Sequence, residues 1–288
     1  MRTEDGIDLF VRDWPPAAGV RRRGAALIIH GLGEHSGRYE HVAAALNEIG
    51  IAVRSYDHRG FGQSGGPRAV IPTDTAYLDD AKIVFDAFAA EARAAGDFGW
   101  PFLIGHSMGG AIAARAVTGR WITPRGLVLS SPGLKTRLPI SAQWLLRIGA
   151  LFAPNHARPH GLRLDKISHD PQVLADVKAD SFCHDLATPR LVSFLIDAGK
   201  QARRDAARLE VPTLLLVSGD DSLVNAEGSR EFASAMPSGR VTLHWYAPLY
   251  HEVFNEREPE RTQVLGDLCA WIETQLGRGG ALWMPISL

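Results

Sequence analysis

A strand that is apolar at successive positions has to be buried on both faces, and that requirement dominates this sequence. The clearest case is VPTLLLVSG, Val211–Gly219. GAALIIHG (Gly24–Gly31), IAVRSYD (Ile51–Asp57), the FLIG that ends at Gly105, RGLVLSS (Arg125–Ser131) and VTLHWY (Val241–Tyr246) read as further short strands. Between them the apolar residues fall at helical spacing. Tyr39, Val42, Leu46 and Ile49 do so between Gly37 and Gly50, with Gly50 suited to a C-terminal cap. Leu78, Ala81, Phe85 and Phe88 do so between Thr75 and Ala95. Further helices are expected over Met108–Val117, near Glu227–Ala235 and over Pro259–Leu276. Such alternation predicts an α/β fold, with a mostly parallel central sheet flanked by helices.

The interval from Pro132 to Leu209 breaks this rhythm. It has no clear strand and carries Pro139, Pro154, Pro159, Pro171 and Pro189. Ile140, Trp144, Ile148 and Leu151 make one apolar helical face, and Asp170-Pro171 reads as an N-cap with proline at the first helical position. Residues 132–209 are therefore expected to be a helical cap inserted into a core formed by 1–131 and 210–288. A chain of 288 residues, 45% of them hydrophobic, has enough apolar material for one such domain.

Composition excludes several classes of function. The formal net charge of −1 gives no global field to attract nucleic acid. The run Arg21–Arg23 reads as a solvated loop. Cys183 and Cys269 lack any C-x-x-C spacing, so neither a zinc site nor a dithiol redox site is expected, and both are read as reduced core thiols. MRTEDGIDLFVRDWPP has no apolar signal segment, and no apolar run has membrane-spanning length, so a cytoplasmic protein is expected.

One polar residue stands where core packing has no use for it. FLIGHSMGGAIAAR places Ser107 between glycines at the point where a buried strand gives way to a helix of small residues. GHSMG fits G-x-S-x-G, and strand–turn–helix is the context in which that pattern presents a nucleophilic hydroxyl at a helix N-terminus. Serine needs a base. Of eleven histidines, His251 follows the last strand and precedes the last helix, the place such a base occupies; His244 lies within the strand, and His156, His160, His169 and His184 lie in the insertion. The acid belongs after TLLLV, where Asp220 and Asp221 are adjacent and spacing does not separate them. Oxyanion donors are expected from the N–H of Met108, and from Leu32 in the glycine-rich loop HGLGEHSGRY, His30–Tyr39.

Taken in order, HGLGEHSGRY, YDHRGFGQSGG (Tyr56–Gly66), GHSMGG, GDDSLVN and YHEVFNE resemble the α/β-hydrolase superfamily, and within it the monoacylglycerol lipase and lysophospholipase group of serine esterases. The resemblance covers nearly the whole chain. It implies Asp221 as the acid, a helical cap over the site, hydrophobic acyl substrates and no cofactor or metal. It brings Glu34 and Arg38 to the leaving-group side of the substrate, with a structural salt bridge as the stronger role, and it makes Asp57 and Arg59 a structural pair bracing the loops. Trp144 and Ile148, in the stretch Ile140–Phe152, are candidate acyl-chain contacts, with plain packing an equal alternative. DSFCH (Asp180–His184) departs from the group's D-P-L-x-H, and ALWMPISL extends its C-terminus.

The reading is a cofactor-free hydrolase of carboxylic esters with hydrophobic acyl chains, working through an acyl-enzyme. A thioesterase, C–C hydrolase or aminopeptidase on the same triad is the alternative, as is a non-catalytic ligand receptor. Expected partners are a small ester or lipid and no nucleic acid, with peripheral membrane contact through the cap left to experiment and the oligomeric state open.

Overall fold

The computed structural model describes residues 1–97 and 99–278, so the C-terminal extension, 279–288, lies outside the described residues. In chain order the elements are β1 (Val11–Trp14), β2 (Gly24–Ile29), α1 (Glu40–Glu48), β3 (Ile51–Tyr56), α2 (Ala76–Ala94), β4 (Phe102–His106), α3 (Ser107–Thr118), β5 (Leu127–Ser130), α4 (Ile140–Phe152), β6 (Arg158–Pro159), α5 (Pro171–Ala179), β7 (Leu186–Ala187), α6 (Pro189–Asp205), β8 (Thr213–Ser218), α7 (Glu227–Ala235), β9 (Val241–Tyr246) and α8 (Glu260–Arg278).

Seven strands form one sheet in the order β1-β3-β2-β4-β5-β8-β9. Every pairing in it is parallel except that of β1 with β3. All residues of β2, β3, β4, β5 and β8 are buried, as the apolar runs of β2, β5 and β8 require, and within β3 Arg54 is buried on Asp13 and Glu91 and Ser55 on the Ile28 carbonyl. The buried side chains divide between the two faces. Ile112, Phe85, Phe232 and Phe194 pack on one, beneath α2, α3, α6 and α7; Val42, Leu46, Val264 and Leu268 pack on the other, beneath α1 and α8. The sequence reading missed β1. VRDW has no apolar run, and as an antiparallel edge strand it needs only one neighbour.

Gly50 ends α1 with φ +84° and its N–H on the Asn47 carbonyl at 3.0 Å. Any Cβ there would stand 2.3 Å from the Arg21 carbonyl oxygen. In the interval 132–209 the helices α4, α5 and α6 are joined by loops, and the only strands among its described residues are β6 and β7, which pair over two residues each. Asp170 caps α5 by accepting from the Gln172 N–H, and Thr188 caps α6 by accepting from the Leu191 N–H. The helices of this interval are not alike. α4 and α5 contain no buried residue, whereas Leu191, Phe194, Ala198 and Ala202 of α6 join the core. Among the described residues no helix is long and apolar enough to cross a membrane. Both cysteines are free and partly exposed rather than in the core.

Candidate active site

The turn from β4 into α3 takes place at a single residue. His106 is still extended, at φ −108° and ψ 136°, and Ser107 takes φ +51°, a left-handed conformation that side chains other than glycine rarely adopt. Two glycines make the turn fit. A Cβ on Gly105 would lie 2.4 Å from the Gly109 carbonyl oxygen, and one on Gly109 would lie 2.1 Å from that of Ile29. The serine is thus carried on a sharp corner at the N-terminus of α3, where the helix dipole favours negative charge.

His251 follows β9 and is 3% exposed. Its Nε2 lies 2.7 Å from Ser107 Oγ and its Nδ1 lies 2.7 Å from Asp221 Oδ2. Asp221, after β8, is fixed by its other oxygen: Oδ1 accepts the N–H groups of Leu223 and Val224 at 2.8 and 2.9 Å. Arg137 Nη2 donates to the backbone carbonyl of the same residue. Asp221 Oδ2 is then left to accept Nδ1–H, which makes Nε2 the acceptor for the serine hydroxyl. Asp220 is exposed in the turn and does not reach His251. Burial opposes ionisation of Asp221, but the His251 charge and hydrogen bond, with the two N–H groups, hold its carboxyl below the usual value. For His251 burial pulls downward, and the carboxylate and hydrogen bond of Asp221, then Glu252 and Glu34, outweigh it and raise the imidazole above its ordinary value.

Leu32 is partly buried against the core, and Met108 is buried. The loop bearing Leu32 abuts the serine, since a Cβ on Gly31 would stand 3.3 Å from Ser107 Cβ. Behind it lies a buried ionic network. Glu34 Oε1 accepts the Gly31 N–H at 2.5 Å and the Tyr39 hydroxyl at 2.7 Å. Glu34 Oε2 takes Arg38, and Arg38 forks onto both oxygens of Glu252 at 2.8 and 2.7 Å. Burial works against the Glu34 charge, but Arg38, two histidines and Tyr39 hold its carboxyl at about 2. Glu34 and Arg38 therefore form a buried ion pair that includes Glu252. The sequence reading did not single out Glu252, because nothing in YHEVFNE shows that Arg38, 214 residues away, pairs with it.

Asp57 and Arg59 brace loops as expected, but not as a pair. Asp57 accepts the N–H groups of Ser36 and Gln63, while Arg59 binds Asp80 and Asp5. Trp144 and Ile148 are 64% and 50% exposed on α4, and Trp144 borders a cavity that Ser107 does not line. Residues 132–209 are tied to the site's loops. His184 N–H reaches the Gly33 carbonyl at 3.1 Å, Glu252 N–H the Ile167 carbonyl at 2.8 Å, and Ser168 Oγ the Asn255 carbonyl at 2.8 Å. His169 pairs with the fully buried Glu256 at 2.9 Å.

His35, Asp180 and Cys183 bring three potential metal ligands together. Their hydrogen bonds argue against a metal: His35 Nδ1 accepts the Gly37 N–H, so Nε2 carries the proton it gives to Asp180 at 2.7 Å. Burial also pushes the Cys183 thiol up to about 12. His35 and Asp180 form a hydrogen-bonded clamp between two loops, with Cys183 beside them.

Sheet order, elbow and Ser–His–Asp geometry together define an α/β-hydrolase. Comparison with known proteins agrees. The family described as serine aminopeptidase S33 matches residues 21–258. The monoacylglycerol lipase of Mycolicibacterium smegmatis is 33% identical over 278 residues, spanning 94% of this chain and 95% of its own. The phospholipase YtpA of Bacillus subtilis is 31% identical over 83% of this chain and 90% of its own. The crystal structure of Paleococcus ferrophilus monoacylglycerol lipase superposes with a TM-score of 0.82 at 28% identity, covering 93% of this chain and 99% of that one. The chain belongs to the serine aminopeptidase S33 family of hydrolases.

Proposed function

We propose that this carboxylic ester hydrolase cleaves monoacylglycerols, with Ser107, His251 and Asp221 as its catalytic residues. The observation that carries the reading is the continuous hydrogen-bonded line from Ser107 Oγ through the imidazole to Asp221, 2.7 Å at each step. Ser107 Oγ attacks the ester carbonyl as its proton passes to His251 Nε2. The N–H groups of Leu32 and Met108 hold the oxyanion. Collapse of the tetrahedral adduct expels glycerol, which takes the proton from His251. A water then gives a proton to the same imidazole as it attacks the acyl-serine, and the bond to Ser107 Oγ breaks as that oxygen takes the proton back from His251, freeing the fatty acid. Asp221 keeps the imidazole in the useful tautomer and stabilises its charge. The names of the relatives support the glyceride substrate, and the phospholipase among them supports a second reading, a lysophospholipid.

Residues 132–209 act, in this reading, as the cap. The open side of α4 exposes Ile140, Leu145, Leu151 and Phe152, each at least 70%, which suits contact with a lipid surface where such substrates gather. Trp144 and Ile148, the expected acyl-chain contacts, belong to the same helix, and there they join the lipid-facing surface rather than the wall beside Ser107.

The test is Ser107→Ala. Hydrolysis of monoacylglycerols and p-nitrophenyl esters is expected to fall by about 10⁴-fold or more with thermal unfolding nearly unchanged. Retained turnover in pure protein would overturn the assignment. A screen over monoglycerides and lysophospholipids of graded chain length separates the two substrates, because fold alone does not choose between them.

A further inference from the structure

A cavity of about 800 Å³ opens between α6, α4, the start of α2 and the end of α3. Neither Ser107, His251, Leu32 nor Met108 lines it. Arg190, Ser193, Asp197 and Gln201 recur along the α6 face that borders it. A different face of that helix, at Gly199, meets the Leu134 carbonyl in the loop beside Ser107. The cavity and the reaction centre are thus on different sides of α6.

Two polar groups in this cavity lack the partners such groups normally have. Ser193 Oγ is buried without a hydrogen bond, a condition native structures seldom leave unfilled. Arg190 donates from Nη1 to the carbonyls of Pro72 and Ile71, at 2.6 and 3.4 Å, and among the described residues it pairs with no carboxylate. The other two arginines at the cavity are matched: Arg147 binds Asp197 at 2.5 Å and Arg115 binds Asp205 at 3.4 Å. Asp74 stands exposed at the rim, where solvent screens it. A guanidinium with Nε and Nη2 unspent, one helical turn from an unpaired hydroxyl, fits a carboxylate. Alongside the polar residues of the lining, Leu78, Trp144, Leu151 and Phe194 give the wall an apolar stretch that suits a hydrocarbon chain. The volume falls within the ~300–1,000 Å³ of small-molecule sites.

We propose that this cavity binds a single-chain fatty carboxylate, with its head on Arg190 and Ser193 and its chain along Trp144, Leu151 and Phe194. The choice of ligand rests on the ester-hydrolase reading, whose product is such an acid; the cavity itself does not. An enzyme with this site holds its own product away from the acyl-serine, and free fatty acid sets the occupancy of a groove walled by α4.

The test uses the full chain with Ser107 blocked beforehand by an alkyl fluorophosphonate, so that the reaction centre is filled. Equilibrium dialysis of radiolabelled dodecanoate, below its micelle concentration, is expected to give one saturable equivalent. Arg190→Gln should weaken it about tenfold and Ser193→Ala by a smaller factor, with ester hydrolysis by both variants unchanged. The proposal is overturned by no saturable binding to the blocked protein, by equal binding of dodecan-1-ol, or by unchanged affinity in both variants. Should Ser107 prove unreactive, the hydrolase reading fails by itself, and dialysis of the unblocked chain against Arg190→Gln still decides the cavity.

Discussion

Burial alone would pull His251 below the ordinary imidazole value of 6.5; Asp221, Glu252 and Glu34 overcome that pull and carry it higher. The base works only when neutral, so kcat/KM should decline as pH falls through the raised value, with the midpoint of that limb above 6.5. Replacing Glu252 with glutamine removes one negative neighbour and frees Arg38 of half its counter-charge. Both changes disfavour the imidazolium, so the acid limb of the Glu252→Gln profile should move to lower pH. A limb that stays in place or moves upward contradicts this account. The positions proposed for nucleophile, base and acid, which the structure brings within hydrogen-bonding distance, could be picked out in the sequence because each follows a stretch that reads as a strand. Glu252 could not, since a glutamate is taken for a solvated residue until the fold shows Arg38 beside it. Asp221 was separable from Asp220 only by resemblance; the physical difference, two backbone N–H groups holding one oxygen, exists only after the turn has formed.

At the scale of elements, the packing of α3 against the sheet depends on what residue 109 lacks. A methyl group there would meet the Ile29 and His30 carbonyl oxygens at 2.1 and 2.5 Å, and backbone cannot swing aside as a side chain does. Gly109→Ala should therefore cost about 1–3 kcal/mol of stability and lower kcat/KM, because α3 carries Ser107. Paired thermal melts and ester kinetics check both parts; an unchanged melt would mean that the helix sits less tightly than described. The doubly buried strands were legible because their composition admits no other placement. β1 was not, because four residues of mixed polarity on an edge leave no periodic trace. The 132–209 interval was legible as helical through its prolines and caps. That α6 belongs to the core while α4 does not is a tertiary outcome, written in the close approach of Gly199 to the Leu134 carbonyl.

Over the whole molecule the exposed apolar residues concentrate on α4: six of the ten large hydrophobic side chains exposed among the described residues lie on this one helix. If α4 meets lipid as proposed, the intact protein should float with liposomes, and replacing Leu145 and Phe152 by serine should release it while leaving hydrolysis of a short, dissolved ester unchanged. Co-flotation that survives the double substitution would place the contact elsewhere. The paired Arg22 and Arg23, bound to Asp97 and Glu273, offer no comparable patch. If residues 132–209 form a roof over the serine as proposed, that roof is also stitched to the loops beside the site: the carbonyls of Gly33 and Ile167, the hydroxyl of Ser168 and the carboxylate of Glu256 all join one to the other. The roof is therefore no interchangeable cassette. A graft from a distant cousin would arrive with its seams unmatched and drag the histidine out of line, so new substrate preferences in this lineage should accumulate by single replacements inside the existing lining, with wholesale exchange of the roof closed to them.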